Sequence, residues 1–228
     1  MRQLLVLASG NVHKCAELRA MLDPDVWDVR PQGELGVAIP SILEDGDTFE
    51  ANAIKKAEGI AAVTHTLTLA DDSGLEVDAL GGAPGVRSAR FAHERATDAE
   101  NNAALIEALR PLLLAERYEG PSTPGAPPLV LTARFRCVLC LVDPFAVRAE
   151  DRRIVVDGVC EGEIITEPRG AQGFGYDPLF VVRGSGKTFA ELSDADKRAV
   201  SHRGRAMQAM HAVLEARLAE RRAQLARL

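Results

Sequence analysis

Two adjacent carboxylates close an apolar run in Thr66-Leu67-Thr68-Leu69-Ala70-Asp71-Asp72-Ser73-Gly74-Leu75, and that juxtaposition narrows the folds open to the chain. The run reads as a buried strand, and Gly74 is expected to turn the chain away before a second strand at Leu75–Val77. In α/β folds, strand ends point their last polar side chains into a crevice. Neighbouring aspartates at such an end attract protons or a cation. If the strand persists through them, they leave on opposite faces, and only one is fully available to a metal. We assign Asp72 to the metal and to accepting the proton of an attacking water, with Asp71 auxiliary. The competing structural reading makes them turn caps acting through Ser73 and Gly74.

A second signal stands upstream. Leu4–Ala8 reads as a strand, Ser9-Gly10-Asn11 as a tight turn, and Val12–Leu22 as a helix with Cys15, Leu18, Met21 and Leu22 on one side. An anion at such a turn meets free backbone N–H groups, the positive end of a helix and Lys14. Asn11 and Lys14 are therefore candidates to hold phosphate oxygens. The alternative gives Gly10 the turn, Asn11 the helix cap and Lys14 to water. The segment is too short for a Walker loop and lacks the three glycines of a dinucleotide fingerprint.

Glu44-Asp45-Gly46-Asp47 precedes a helix predicted over Thr48–Val63, with Asp47 and Glu50 as its capping box. Phe49, Ala53, Ala57 and Ile60 form its apolar stripe. Mg²⁺ needs few protein carboxylates when waters and substrate phosphates complete its shell, so Glu44 and Asp72 suffice. The same acidic loop also reads as a solvated cap. Asn52 and Lys56 share a helix side, and Lys56 reaches phosphate or simply snorkels.

Further on, Gly173-Phe174-Gly175-Tyr176-Asp177-Pro178 combines flexible glycines, two aromatics and an acid. Phe174 is placed to stack on a base while Asp177 or backbone amides read its edge; Tyr176 serves equally as core. Ser201 is an N-cap candidate for the last helix, whose apolar side is Met207, Met210, Val213, Leu214 and Leu218. Lys197, His202 and Arg203 are candidate donors to a purine carbonyl or phosphate. An arginine is unusual at a positive helix end.

Other helices are predicted over Ala103–Leu114, after the box Thr97–Glu100, and over Asp194–Val200. Strands are predicted at Trp27–Arg30, Ala133–Val142, Arg153–Glu163 and Leu179–Val182, the middle two as a long antiparallel hairpin. Early strands alternate with helices and later ones do not, which predicts a mixed α/β sheet. Gly120–Pro128 reads as a surface loop or a separable boundary. Cys137 and Cys140 have the spacing of a metal or redox pair. Three apart on a strand, however, their sulfurs diverge, and packed thiols are expected.

The 228 residues suit one sizeable core or two joined lobes, and the net charge of −6 provides no general field for nucleic acid. A nucleotide with a divalent cation is the favoured ligand. No apolar run long enough to span a membrane is present, and the first strand leaves no room for a leader, so a cytoplasmic location is expected.

Taken together, Ser9-Gly10-Asn11-x-x-Lys14, Thr48-Phe49, Asn52-Ala53, Lys56-Ala57, Ala70–Leu75, Gly81–Gly85, Phe174–Pro178 and Ser201–Gly204 resemble the non-canonical purine nucleoside triphosphate pyrophosphatases, the inosine triphosphatase-like or Ham1-like family. The resemblance implies a single domain over residues 1–228, an elongated mixed sheet flanked by helices, with two lobes around a central cleft. It further implies a homodimer that uses Mg²⁺ to hydrolyse ITP, dITP and XTP to monophosphate and pyrophosphate. It implies phosphate contacts for Ser9, Gly10, Asn11, Lys14 and Lys56, metal ligation by Glu44 and Asp72, Asp72 as proton acceptor, and a triphosphate contact for Ser73. Base recognition falls to Phe174, Gly175, Tyr176, Asp177, Lys197, His202 and Arg203. The family often has an acid just before Asn52. Here Ala51 stands there and Glu50 lies one earlier, turned by roughly 100° on a helix. Two other readings remain: a nucleotide-binding regulator without chemistry, and a pyrophosphatase preferring modified pyrimidine nucleotides.

Overall fold

The computed structural model describes residues 2–39, 41–119 and 130–225, so the Gly120–Pro128 loop lies outside the described residues. Its strands are β1 (Gln3–Leu7), β2 (Trp27–Pro31), β3 (Thr68–Val77), β4 (Thr132–Val142), β5 (Arg153–Ile164) and β6 (Phe180–Val182). They form one sheet in the order β2-β1-β3-β4-β5-β6. Strand β1 runs parallel to β2 and β3, whereas β5 and β6 are antiparallel. The sheet is therefore mixed, as the loss of strand–helix alternation along the chain predicts. The helices among the described residues are α1 (Val12–Arg19), α2 (Phe49–Thr64), α3 (Asp98–Glu119), α4 (Asp194–Val200) and α5 (His202–Leu225).

The chain divides into two compact units, the first comprising Met1–Asp72, Cys137–Val159 and Arg198–Leu228, the second Ser73–Arg136 and Cys160–Lys197. In the first, Leu5, Val6 and Leu7 are all fully buried. A parallel strand covered on both faces requires such an unbroken apolar run. One layer of the core joins Leu5 and Leu7 to Cys15 and Leu18 of α1, Cys137, Leu139 and Leu141 of β4, and Met207, Met210 and Leu214 of α5. Cys137 lies in this layer and Cys140 does not, as the period of two demands. All four cysteines are free and buried. Burial pushes the Cys140 thiol up to about 12, so neither it nor its neighbour is a ready thiolate. Close packing of β5 on α5 depends on Gly158. A Cβ there would lie 2.3 Å from both the Ala206 nitrogen and the His202 carbonyl oxygen.

The second unit buries Leu75 and Val77 of β3, Leu105 and Leu109 of α3, and an aromatic cluster. Phe135 and Phe180 meet edge-on with centroids 4.8 Å apart, and Phe189 packs on Phe180 at 5.0 Å. Such pairs add directional preference to the burial of large rings.

Three local expectations are corrected. First, Gly74 does not turn the chain: β3 is continuous from Thr68 to Val77. The Leu75 N–H is held by Ser88 Oγ at 2.9 Å, and both Leu75 and Val77 gain a core, so extension is favoured. Second, α2 is capped by Thr48, whose side chain accepts from the Ala51 N–H, rather than by an Asp47–Glu50 box. Third, α1 stops at Arg19. Tightened turns bring the Met21 N–H to Leu18 and the Leu22 N–H to Arg19 ahead of Pro24, which disfavours helix in the residue before it. The Thr97–Glu100 box is present, with each partner accepting the other's backbone N–H, and it starts α3 at Asp98, five residues earlier than predicted.

Candidate functional site

At the end of β1, the Ser9 hydroxyl accepts from the Asn11 N–H at 3.2 Å. Asn11 Oδ1 in turn accepts from the His13 and Lys14 N–H groups at 3.0 and 3.1 Å. Asn11 is thus the N-cap of α1, satisfying donors that a helix start leaves over. Lys14 is not given to water: its ammonium lies 3.3 Å from the buried Asp71 carboxylate.

Because β3 continues through both aspartates, they diverge to opposite faces. Asp71 meets Lys14 and, at 3.4 Å, the Nε of Arg203. Asp72 meets Lys56 Nζ at 2.9 Å and Asn52 Nδ2 at 3.2 Å. The turn-cap reading of the pair is therefore replaced by two separate ionic sites, one per face.

On the Asp72 face, Lys56 also donates to Glu44 Oε2 at 2.7 Å. Asn52 ties the acidic loop down, since its Oδ1 accepts from the Gly46 N–H at 2.8 Å and its Nδ2 donates to the Gly46 carbonyl at 3.3 Å. Helix α2 places Asn52 and Lys56 one turn apart on the same side, as their spacing predicts. Two carboxylates therefore converge on one cationic centre. Among the described residues, no cluster of three or more His, Cys, Asp or Glu side chains forms a metal cage. Mg²⁺ does not need one: a hard cation that retains waters and takes phosphate oxygens is held by one or two carboxylates. The oxygen donors of Glu44 and Asp72 fit that requirement.

The two acids are not equivalent. Burial raises the Asp72 carboxyl above its ordinary range, outweighing the pull of Lys56 and Lys14. For Glu44 burial acts the same way, yet Lys56 and Lys14 win and bring it below the usual range. Burial opposes charge on Lys56, but Asp72, Asp71 and Glu44 hold its ammonium above the ordinary lysine range. The two carboxyls are thus shifted in opposite directions by one shared environment.

Arg203, at the start of α5, is buried and donates from Nη1 to Glu17 Oε2 at 2.8 Å while facing Asp71. Burial works against its charge, and Asp71 and Glu17 more than compensate. Ser201 Oγ accepts from the Gly204 N–H, confirming it as the cap, and His202 is buried beside it. The partnership of Arg203 with Glu17 was not legible in sequence, because 186 positions separate them.

The second unit holds the aromatic loop. Asp177 Oδ2 accepts from the Phe174 N–H at 2.9 Å and from Lys197 Nζ at 2.7 Å. Lys197 stands 5.0 Å above the Phe174 ring centroid, within cation–π range. Gly173 has φ +77°, and a Cβ there would strike the Asp177 carboxylate. Tyr176 is core, as one of its two readings held, and its hydroxyl donates to the Ser88 carbonyl at 2.9 Å. Ser73, which opens this unit, lies on β3. Asp98, Asn102 and Ser88 also contact or support this loop. In sequence they carried no signal beyond helix capping for Asp98.

The sequence pattern of the Ham1 family matches residues 5–213. Over 204 residues the chain is 46% identical to the dITP/XTP pyrophosphatase of Desulforamulus reducens, covering 90% of this chain and 92% of that protein. It is 40% identical over 211 residues to the dITP/XTP pyrophosphatase of Bacillus subtilis, with 92% and 96% covered. Among solved structures, a HAM1 protein from Coxiella burnetii superposes with a TM-score of 0.76 at 40% identity, covering 94% of this chain and 99% of that one. The Ham1 protein of Staphylococcus aureus gives 0.75 at 36% identity, covering 94% and 100%. A match that runs from β1 into α5 and includes both clusters of side chains makes this chain a member of the Ham1 family.

Proposed function

We propose that this protein hydrolyses non-canonical purine nucleoside triphosphates (dITP, ITP and XTP) to the nucleoside monophosphate and pyrophosphate. The observation that carries the reading is the convergence of Glu44 and Asp72 on Lys56, with Lys14 held across the same strand by Asp71. The names of the curated relatives support the choice of substrate.

Glu44 and Asp72 are the residues that would hold Mg²⁺, which when bound neutralises phosphate oxygens and lowers the pKa of a water. Asp72, raised by burial, accepts the proton of the attacking water. The water oxygen bonds to the α-phosphorus, the α–β bridging bond breaks, and pyrophosphate leaves with the bridging oxygen. Lys14 and Lys56 stabilise its developing charge, while Ser9, Gly10, Asn11 and Ser73 contribute phosphate contacts. Arg203 secures Asp71, and Asp71 orients Lys14. In the second unit, Phe174 stacks on the base and Lys197 favours a 6-oxo group, with Asp177 fixing both.

Product analysis in ¹⁸O-water tests this. Monophosphate carrying the label plus unlabelled pyrophosphate is expected. Diphosphate plus orthophosphate, or tight nucleotide binding without turnover, would overturn it.

A further inference from the structure

The middle residue of the aromatic loop is gripped from one helix. Gly175 has φ +62°. Its N–H donates to Asp98 Oδ2 at 2.6 Å, and its carbonyl accepts from Asn102 Nδ2 at 3.0 Å. Asp98 and Asn102 are four residues apart, so the first turns of α3 present both to the same side. The helix start is itself secured by the Thr97–Glu100 box. Between the two gripping residues, Asn101 fastens the neighbouring segment, donating to the Ala89 carbonyl and accepting from the Ala92 N–H. That segment also receives the Tyr176 hydroxyl, at Ser88.

We infer that Asp98 and Asn102 are specificity-positioning residues, which set base selectivity by fixing the two peptide planes on either side of Gly175. This rests on the reading of Phe174–Asp177 as the base-recognition loop. A trans peptide is planar, with its N–H and C=O on opposite edges. Holding the Gly175 N–H toward Asp98 fixes the plane attached to Phe174, and with it the position from which the ring stacks. Holding the Gly175 carbonyl toward Asn102 directs the Tyr176 N–H away from α3. A donor locked in one direction matches the 6-oxo acceptor of hypoxanthine or xanthine and opposes the 6-amino donor of adenine. Asp98 and Asn102 belong to the second unit and grip Gly175, whereas Glu44, Lys56 and Asp72 belong to the first, so their effect is expected on binding and discrimination rather than on chemistry.

The test compares ITP with ATP in steady-state kinetics for wild type, Asn102→Ala, Asp98→Ala, Asp98→Asn and Phe174→Ala, with thermal melting of each. Asn102→Ala and Asp98→Ala are expected to raise KM for ITP by roughly tenfold, leave kcat within about twofold, and narrow the ITP-to-ATP ratio of kcat/KM. Asp98→Asn keeps an acceptor oxygen and is expected to retain selectivity, which a general loss of stability would not reproduce. If Phe174→Ala raises KM while both alanine variants keep wild-type selectivity, the inference fails and the base-loop reading stands. An equal loss for ITP and ATP, or a fall in kcat alone, also overturns it. If Phe174→Ala changes nothing, the base-loop reading fails and takes the inference with it. Should Asn102→Ala melt below the assay temperature, the Asp98→Ala and Asp98→Asn pair decides.

Discussion

Asp72 shows how one residue's environment sets both its chemistry and its cost. It bonds to Lys56 and Asn52 of α2 and feels the charge of Lys14, yet burial, joined by the negative charge of Glu44, keeps its carboxyl above the ordinary range. In the proposed role of proton acceptor Asp72 works only when ionised, so kcat/KM is expected to fall along an acid limb. Asp72→Asn is expected to lose about 10²–10⁴ in kcat and to abolish that limb. The sign for stability follows from the same shift. A carboxyl whose folded pKa exceeds its unfolded one contributes stability at low pH that is lost as pH rises through the folded value. Metal-free Asp72→Asn should therefore lose less stability than wild type as pH rises from acid to neutral, measured by melting in EDTA. Near-wild-type kcat in the variant would remove Asp72 from its role.

At the scale of elements, the contact of β5 with α5 is set by the absence of a side chain. Gly158→Ala would place a methyl carbon 2.3 Å from two backbone atoms of α5, neither of which can rotate aside. Overpacking of this kind costs about 1–3 kcal/mol, occasionally more. A lowered midpoint in urea with an unchanged slope is expected; an unchanged midpoint would show that α5 shifts freely. The start of α5 carries Arg203, so a displaced helix should also weaken the Arg203–Asp71 pair and with it the hold on Lys14.

At the scale of the molecule, no helix among the described residues is long and apolar enough to cross a membrane. We propose that the chain works as a homodimer, with the Gly81–Gly85 segment and α3 as candidate surfaces. A persistent pair requires about 1,200 Å² or more of total buried area. Sedimentation at micromolar concentration is expected to give twice the chain mass. A single-chain mass throughout the range would remove the dimer without touching the side-chain clusters.

The sequence by itself determined the elements and the motif set. Period-two and helical patterns, the Ser201 cap and the Thr97–Glu100 box are local, written within a few residues, and they placed β1, α2, α4 and the start of α5 nearly where they lie. Only the tertiary structure decided which charges are neighbours. That Asp71 belongs to Lys14 and Arg203, and Asp72 to Lys56 and Asn52, depends on β3 running straight through Gly74. That course is held by Ser88 and by core contacts distant along the chain. The grip of α3 on Gly175 joins residues 77 and 73 positions apart. Such pairings carry no local periodicity, because they are set by which elements the burial of apolar surface brings together.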